Sequence, residues 1–349
     1  MPALPQRLSL VRQTANILRA EIERGTWSRH LPGERELAAT LLVGRNTLRA
    51  ALRELAAAGL LESRQGVGHR ILRRSAPSGT KEKPRSIGLL LPGGLQAPRA
   101  SQILWIDQLR ALLIKQGFDL QLHHQRRFPR DPRRHACWIL LLCDGDLQRR
   151  FARNGVPCVI AGSPHPGVNL PSVDIDHRSL CRHAAGIMIA RGHQNLAFLT
   201  RLPLFAGDRE SELGFIEGVR LSAQPGLSSR IIHHDDSRAG VTNALQRLLR
   251  SPRPPTALLI GDSHHYLTVS SLLARAGKNI PRDITLLCRD DDSFLSHLVP
   301  EPARYSSSPA AFARNVLTLI LRDRRSPVPP AIRLQPRLVK GGTLARLVP

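Results

Sequence analysis

Six short apolar runs place the strongest constraint on what this chain can form: IGLLL at 87–91, WILLL at 138–142, CVIA at 158–161, LAFLT at 196–200, ALLI at 257–260 and ITLL at 284–287. None contains a charged residue. A strand with one face in water alternates polar and apolar residues, whereas a continuous run must be covered on both faces, as in a parallel sheet between helices. Stretches with helical spacing fall between the runs, at 104–116, 178–191, 214–221, 241–249, 266–276 and 310–321. The expected fold class over residues 86–343 is therefore α/β, with a parallel sheet and a rhythm that allows two similar lobes.

Residues 8–74 read differently. Val11, Ala15, Leu18 and Ile22 fall at helical spacing, and Gly25 is the expected stop. A second helix is expected to open at LPGE, 31–34, with Glu34 near the positive end of its dipole. A third is predicted over 45–58, with Leu48, Ala51, Leu52 and Leu55 inward and Gly59 ending it. Two short strands, 60–64 and 69–72, flank Gln65-Gly66-Val67-Gly68, whose glycines suit a tight hairpin. The stretch 75–85, with the two arginines before it, lacks apolar anchors and is expected to be a solvated linker.

Basic residues outnumber acidic ones by 51 to 27, which favours a polyanionic partner. Only five of the 51 are lysine, so a general preference for arginine accounts for part of the excess. The first 85 residues hold 16 basic and seven acidic side chains against 35 and 20 in the remainder, so the N-terminal piece is the more densely positive. Five cysteines without a CxxC pair suit free thiols in a reducing compartment, and no apolar stretch approaches the roughly 20 residues that span a bilayer. A cytoplasmic, nucleoid-associated protein with no membrane partner is expected.

A helix that reads DNA presents side chains from its first turns to base edges while neighbouring groups hold phosphates. Arg45, Asn46, Thr47 and Arg49 open the third helix; arginine can bond guanine and asparagine adenine in bidentate fashion. Arg35 begins the second helix, where it can meet a phosphate, and the hairpin glycines allow close backbone approach. The segment LPGERELAATLLVGRNTLRAALRELAAAGLLESRQGVGHRI resembles the GntR family of winged helix-turn-helix regulators over most of residues 8–72. The resemblance implies operator contacts by Arg35, Arg45, Asn46, Thr47, Arg49 and Gly66. Gly33 and Gly44 depart from it, standing where serine or threonine is commoner, so side-chain caps are lost.

Farther on, VPCVIAGSPHPGVNLPSVDIDHRSLCRHAAGIMIARGHQNLAFLT, PTALLIGD, NIPRDITLLCRDDDSF and PRLVKGGT resemble the LacI-like, periplasmic-binding-protein type of effector domain. Two Rossmann-like parallel-sheet lobes joined by three crossovers, with a small sugar-like or purine-like effector between them, are what this resemblance implies. By position it places Ser163, Asp262 and Asp290 in the cleft. It also places Ser211 there, where many relatives carry an arginine three residues before the Gly214-Phe215 pair. The first cleft loop, aromatic-rich in relatives, is Gly93-Gly94-Leu95-Gln96 here.

The adjacent histidines (123–124, 233–234, 264–265) lack HxxxH or HExxH spacing, and neighbours on one element point different ways, so no metal site and no cofactor are expected. Walker A, GxSxG and GxGxxG sequences are also missing, which argues against an enzyme. The expectation is a homodimer on palindromic double-stranded operator DNA, a repressor whose grip an effector modulates. The alternative is a ligand-independent DNA-binding dimer with a degenerate sensor domain.

Overall fold

A computed structural model describes residues 10–24, 27, 30–64, 68–72, 84–91, 99–124, 127–202, 204–322 and 331–347. The chain divides into two units, 1–82 and 83–349. Among the described residues no helix is long and apolar enough to cross a membrane.

In the first unit, α1 (Leu10–Arg24), α2 (Glu34–Thr40) and α3 (Arg45–Ala57) precede an antiparallel pair, β1 (Leu61–Arg64) and β2 (Gly68–Ile71). Ala15 and Leu18 of α1 meet Leu37 of α2 and Leu48, Ala51, Leu52 and Leu55 of α3 in one core. Gly33 and Gly44 occupy the N-cap positions without a side-chain cap. Between α2 and α3, Leu42 adopts a left-handed φ of 53° and is 92% exposed, so the turn is made without glycine. The Leu31 N–H donates to the His69 carbonyl at 2.9 Å, tying the α2 entry to the wing. Gly25 and Gly66 lie outside the described residues, as does the 93–96 loop.

The second unit contains two six-stranded sheets. The first is built from β3 (Ser86–Leu91), α4 (Ala100–Lys115), β4 (Asp119–His124), β5 (Cys137–Leu141), α5 (Gly145–Arg153), β6 (Cys158–Ala161) and β7 (Ser172–Ile175). The chain then enters the second lobe through α6 (His177–Ala190), β8 (Asn195–Arg201), α7 (Ala206–Ser222), β9 (Ser228–His234), α8 (Arg238–Leu249), β10 (Ala257–Ile260), α9 (Ser263–Arg275), β11 (Thr285–Cys288) and β12 (Ala303–Ser306). It returns through α10 (Pro309–Leu321) and β13 (Ala331–Leu334), and crosses once more into β14 (Arg337–Val339). Strand orders are β13-β7-β6-β5-β3-β4 and β14-β12-β11-β10-β8-β9. All pairings are parallel except β12 with β14.

Fully buried β3, β5, β6, β10 and β11 are the strands that read as continuous apolar runs. The helix α10 completes the first lobe, packing Phe312, Ala313, Val316 and Leu319 with Trp105 and Leu109 of α4. In the second lobe α6 and α7 approach so closely that a Cβ on Gly214 would fall on the Arg178 carbonyl oxygen, and one on Gly218 on that of Arg182. We expect Gly214→Ala to destabilise the protein by at least the ~1–3 kcal/mol typical of overpacking, since the obstacle is backbone, as measured by urea denaturation.

A buried histidine contact holds the far edge of the first sheet. The Nε2 atoms of His123 and His135 are 2.9 Å apart, and His135 Nδ1 lies 2.8 Å from Ser86 Oγ. Burial, with the neighbouring His123 and Arg134, lowers the His135 pKa to about 4. The unfolded ring therefore binds more protons than the folded one between pH ~6.5 and ~4, and stability falls as pH falls through that window. His135→Gln is expected to flatten this part of the stability profile, read from melting temperature against pH.

Candidate nucleic-acid interface and ligand cleft

Helical geometry separates the two faces of α3. Leu48, Ala51, Leu52 and Leu55 are buried, whereas Arg45, Asn46 and Arg49 are exposed and Thr47 is half-buried. Arg35 is exposed on the first turn of α2. Five of the six side chains expected to touch DNA thus lie on two neighbouring helix starts, and Gly66 falls outside the described residues. The Arg49 Nε donates to Glu34 Oε2 at 2.7 Å, and His69 Nε2 lies 3.4 Å from Glu34 Oε1. The hydrogen bond from Arg49 lowers the Glu34 pKa; burial opposes the shift, and His69 adds to it. Glu34 thereby links α3 to the wing strand and presents Arg49 in a defined direction. Sequence reading missed this role because it needed the fold to bring His69 back onto α2.

In the second unit a cavity of about 710 Å³ opens between the two sheets. Carboxyl ends of parallel strands converge there, which brings together loops distant in sequence. Ser163 follows β6, Arg201 ends β8, Asp262 follows β10, and Arg289 and Asp290 follow β11; all line the cavity. Ser163 Oγ donates to Asp174 Oδ2 at 2.7 Å. Asp262 caps α9 by accepting the His264 N–H at 2.7 Å. From the first lobe, the Arg99 guanidinium pairs with both Asp262 and Asp290 of the second. Burial alone would raise the Asp262 pKa, but Arg99 and the bonds from His264 leave it well below the usual carboxylate range.

Ser211 does not belong to the cavity wall, which corrects the sequence-based placement. Its side chain is fully buried in α7, donating to the Gly207 carbonyl at 2.9 Å and accepting from Arg289 Nη1 at 3.0 Å. Arg289 also bonds Asp208 Oδ1 at 2.7 Å and Asp290 Oδ1 at 3.0 Å. The guanidinium expected on α7 is instead supplied from β11, and Ser211 is small enough to receive it. Burial opposes the charge on Arg289, but Asp290 and Asp208 outweigh it and push the pKa above the ordinary arginine value. A second cation, Arg201, lies 3.3 Å from Asp236 and stacks 4.4 Å from the Phe205 ring centroid. Arg99, Arg201, Arg289 and Asp236 were not singled out in the sequence, since isolated charges after apolar runs carry no spacing signal.

Comparison with known proteins now bears on this geometry. Residues 10–71 match the family model for bacterial regulatory proteins of the gntR family, and residues 185–344 the model for a periplasmic binding protein-like domain. The chain thus carries a gntR-type DNA-binding segment followed by a periplasmic binding protein-like domain. Catabolite control protein A of Priestia megaterium is 26% identical over 150 residues, covering 43% of this chain and 45% of that protein. The HTH-type transcriptional repressor CytR of Escherichia coli (strain K12) is 25% identical over 175 residues, 48% and 50% of the two chains. The chain thus matches about half the length of these curated relatives. Among solved structures, the transcriptional regulator CelR–cellobiose complex aligns with TM-score 0.64 and 19% identity over 90% of this chain and all of that one. A LacI family regulator from Enterococcus faecium with bound ribose gives 0.63 and 18% over 75% of this chain and all of that one. At such identities these two establish the fold. The proteins this chain resembles are transcriptional regulators rather than enzymes.

Removing one partner of a buried ion-pair network leaves charge uncompensated, at a cost of about 3–5 kcal/mol. Arg289→Met should destabilise the two-lobed unit by that order, and Arg289→Met with Asp208→Asn should recover part of it. Chemical denaturation of the single and double variants measures both.

Proposed function

We propose that this chain is a transcriptional regulator that binds palindromic operator DNA as a homodimer in the cytoplasm, at the nucleoid, and that a small polyhydroxylated effector in the cleft sets its operator affinity. Repression is the proposed direction. The observation that carries the DNA-binding part is the division of α3: Arg45, Asn46 and Arg49 face outward from a helix whose other face is locked into the core. Such a helix start can reach base edges in a major groove while Arg35 holds a phosphate. In a homodimer, two reading units match half-sites about one helical turn apart. The effector part rests on the cleft chemistry, where carboxylates and guanidiniums alternate at the strand ends. Carboxylates accept hydrogen bonds from hydroxyl groups and guanidiniums donate to them, so vicinal hydroxyls can engage both. Ser163, Asp262 and Asp290 are the proposed contacts. The CelR and Enterococcus faecium proteins, which carry cellobiose and ribose, are consistent with that class of ligand.

A second reading has one observation in its favour. Arg99 joins the two lobes directly through Asp262 and Asp290, a protein-to-protein contact across the cleft that suits a ligand-independent DNA-binding dimer. A panel of sugars and nucleosides in thermal unfolding separates the readings, because a ligand that binds only the native state raises the melting temperature with concentration. Operator sites come from selection of genomic fragments. On a selected site, Arg45→Ala should weaken binding by about 5–150-fold, the equivalent of one bidentate base contact at ~1–3 kcal/mol, with the fold intact. Unchanged affinity in fluorescence anisotropy would remove Arg45 from the interface.

A further inference from the structure

Three side chains meet on the second-lobe wall of the cleft: His234 at the end of β9, Asp236 in the turn after it, and His265 in the first turn of α9. One ring nitrogen from each histidine and one carboxylate oxygen of Asp236 all lie within 4.8 Å of one another. His265 Nε2 is 3.1 Å from Asp236 Oδ1, and the two imidazole rings stand nearly perpendicular with centroids 4.3 Å apart. His234 is only 5% exposed, and its Nε2 is a buried ring nitrogen without a hydrogen-bond partner among the described residues. We propose that His234, Asp236 and His265 form a binding site for a divalent transition-metal ion of the zinc type, at the edge of the effector cleft.

The donor set carries the choice of ion. Two imidazoles with one carboxylate suit zinc, nickel, cobalt or copper, whereas calcium and magnesium prefer oxygen throughout. Three protein ligands leave a further coordination position, and Asp236 and His265 both line the cavity, so that position is reachable from the cleft. Asp236 is oriented for the role: its Oδ2 faces Arg201 Nη1 at 3.3 Å, and its Oδ1 is the atom beside His265. An outer-shell donor of this kind fixes a ligating carboxylate. His234 Nδ1 accepts the Asp236 main-chain N–H at 3.1 Å, which puts the neutral ring's proton on Nε2. Coordination through Nδ1 displaces that N–H, and coordination through Nε2 needs the other tautomer; either exchange gives up one hydrogen bond.

The adjacent pairs of histidines divide their work. His233 points to Glu212 Oε1 at 2.7 Å and His264 to Asp262 Oδ1 at 3.4 Å, and the other member of each pair joins the cluster. Neighbours in sequence therefore never supply two ligands from one element, and the spacing shows no metal motif.

The untagged full chain, stripped with a chelator, is titrated with Zn²⁺ in competition with a chromophoric chelator, and with Co²⁺ followed by visible absorption. The expected result is one ion per chain. Asp236→Asn, which keeps the shape of the side chain, and His265→Gln should each weaken Zn²⁺ at least 30-fold while the ion-free protein remains folded. His233→Ala should leave the affinity unchanged. Failure of the native chain to bind one equivalent overturns the proposal. So does equal binding by Asp236→Asn and His265→Gln, or a loss in His233→Ala as large as theirs, since ions would then be held by scattered surface histidines. If His265→Gln fails to fold, Asp236→Asn alone decides.

Discussion

The buried Arg289 guanidinium is the contact on which the arrangement of the cleft depends. It sits at the end of β11 and holds Asp208 and Ser211 of α7 on one side and Asp290 on the other. An ion pair this deep requires nearly complete hydrogen bonding, because desolvation of each charge is otherwise uncompensated. The requirement fixes α7 against β11, and α7 is in turn locked to α6 through Gly214 and Gly218. Asp290, oriented by Arg289, then faces Arg99 from the other lobe. A single guanidinium therefore links the packing of the second lobe to the electrostatics between the lobes.

The same site shows how a familiar arrangement can be kept with its parts exchanged. Judged by the resemblance, Ser211 is a lost arginine; in the fold, the space it leaves admits Arg289 from a different element. Position-by-position comparison registers only a departure, because it cannot see that two segments 78 residues apart trade a charge. The cavity has a guanidinium near its acidic wall, delivered from the end of β11 rather than from α7.

What could be read from the sequence divides along burial. The runs at 87–91, 138–142, 158–161, 257–260 and 284–287 coincide closely with strands covered on both faces, where hydrophobicity alone decides. All four edge strands escaped notice, and so did the interior strands β7 and β12, whose four residues include polar or charged ones. β4 (DLQLHH) and β9 (SSRIIHH) are mixed in character because one flank is open, and β13 and β14 are three or four residues long. α7 begins at Ala206 rather than near Gly214, since its first turns carry charges that serve the cleft instead of an apolar stripe. The residues proposed to face DNA were legible because local spacing places Arg35 at the start of α2 and Arg45, Asn46, Thr47 and Arg49 at the start of α3. The cleft was legible only through resemblance, and its arginines became visible once the topology had gathered the strand ends.

The three passages of the chain between the lobes bear on how such a gene can be rearranged. The first lobe needs α10 and β13, which arrive only after the second lobe is nearly complete, and the second needs β14 from beyond them. A recombination breakpoint between β3 and β13 would leave both halves without a strand or covering helix they require. The winged helix-turn-helix ends before the first of these passages, so it can be exchanged as one block. Fusions between different DNA readers and different sensors are thus confined by topology to the junction upstream of β3, and new sensing specificity has to arise by substitution within an indivisible two-lobed unit.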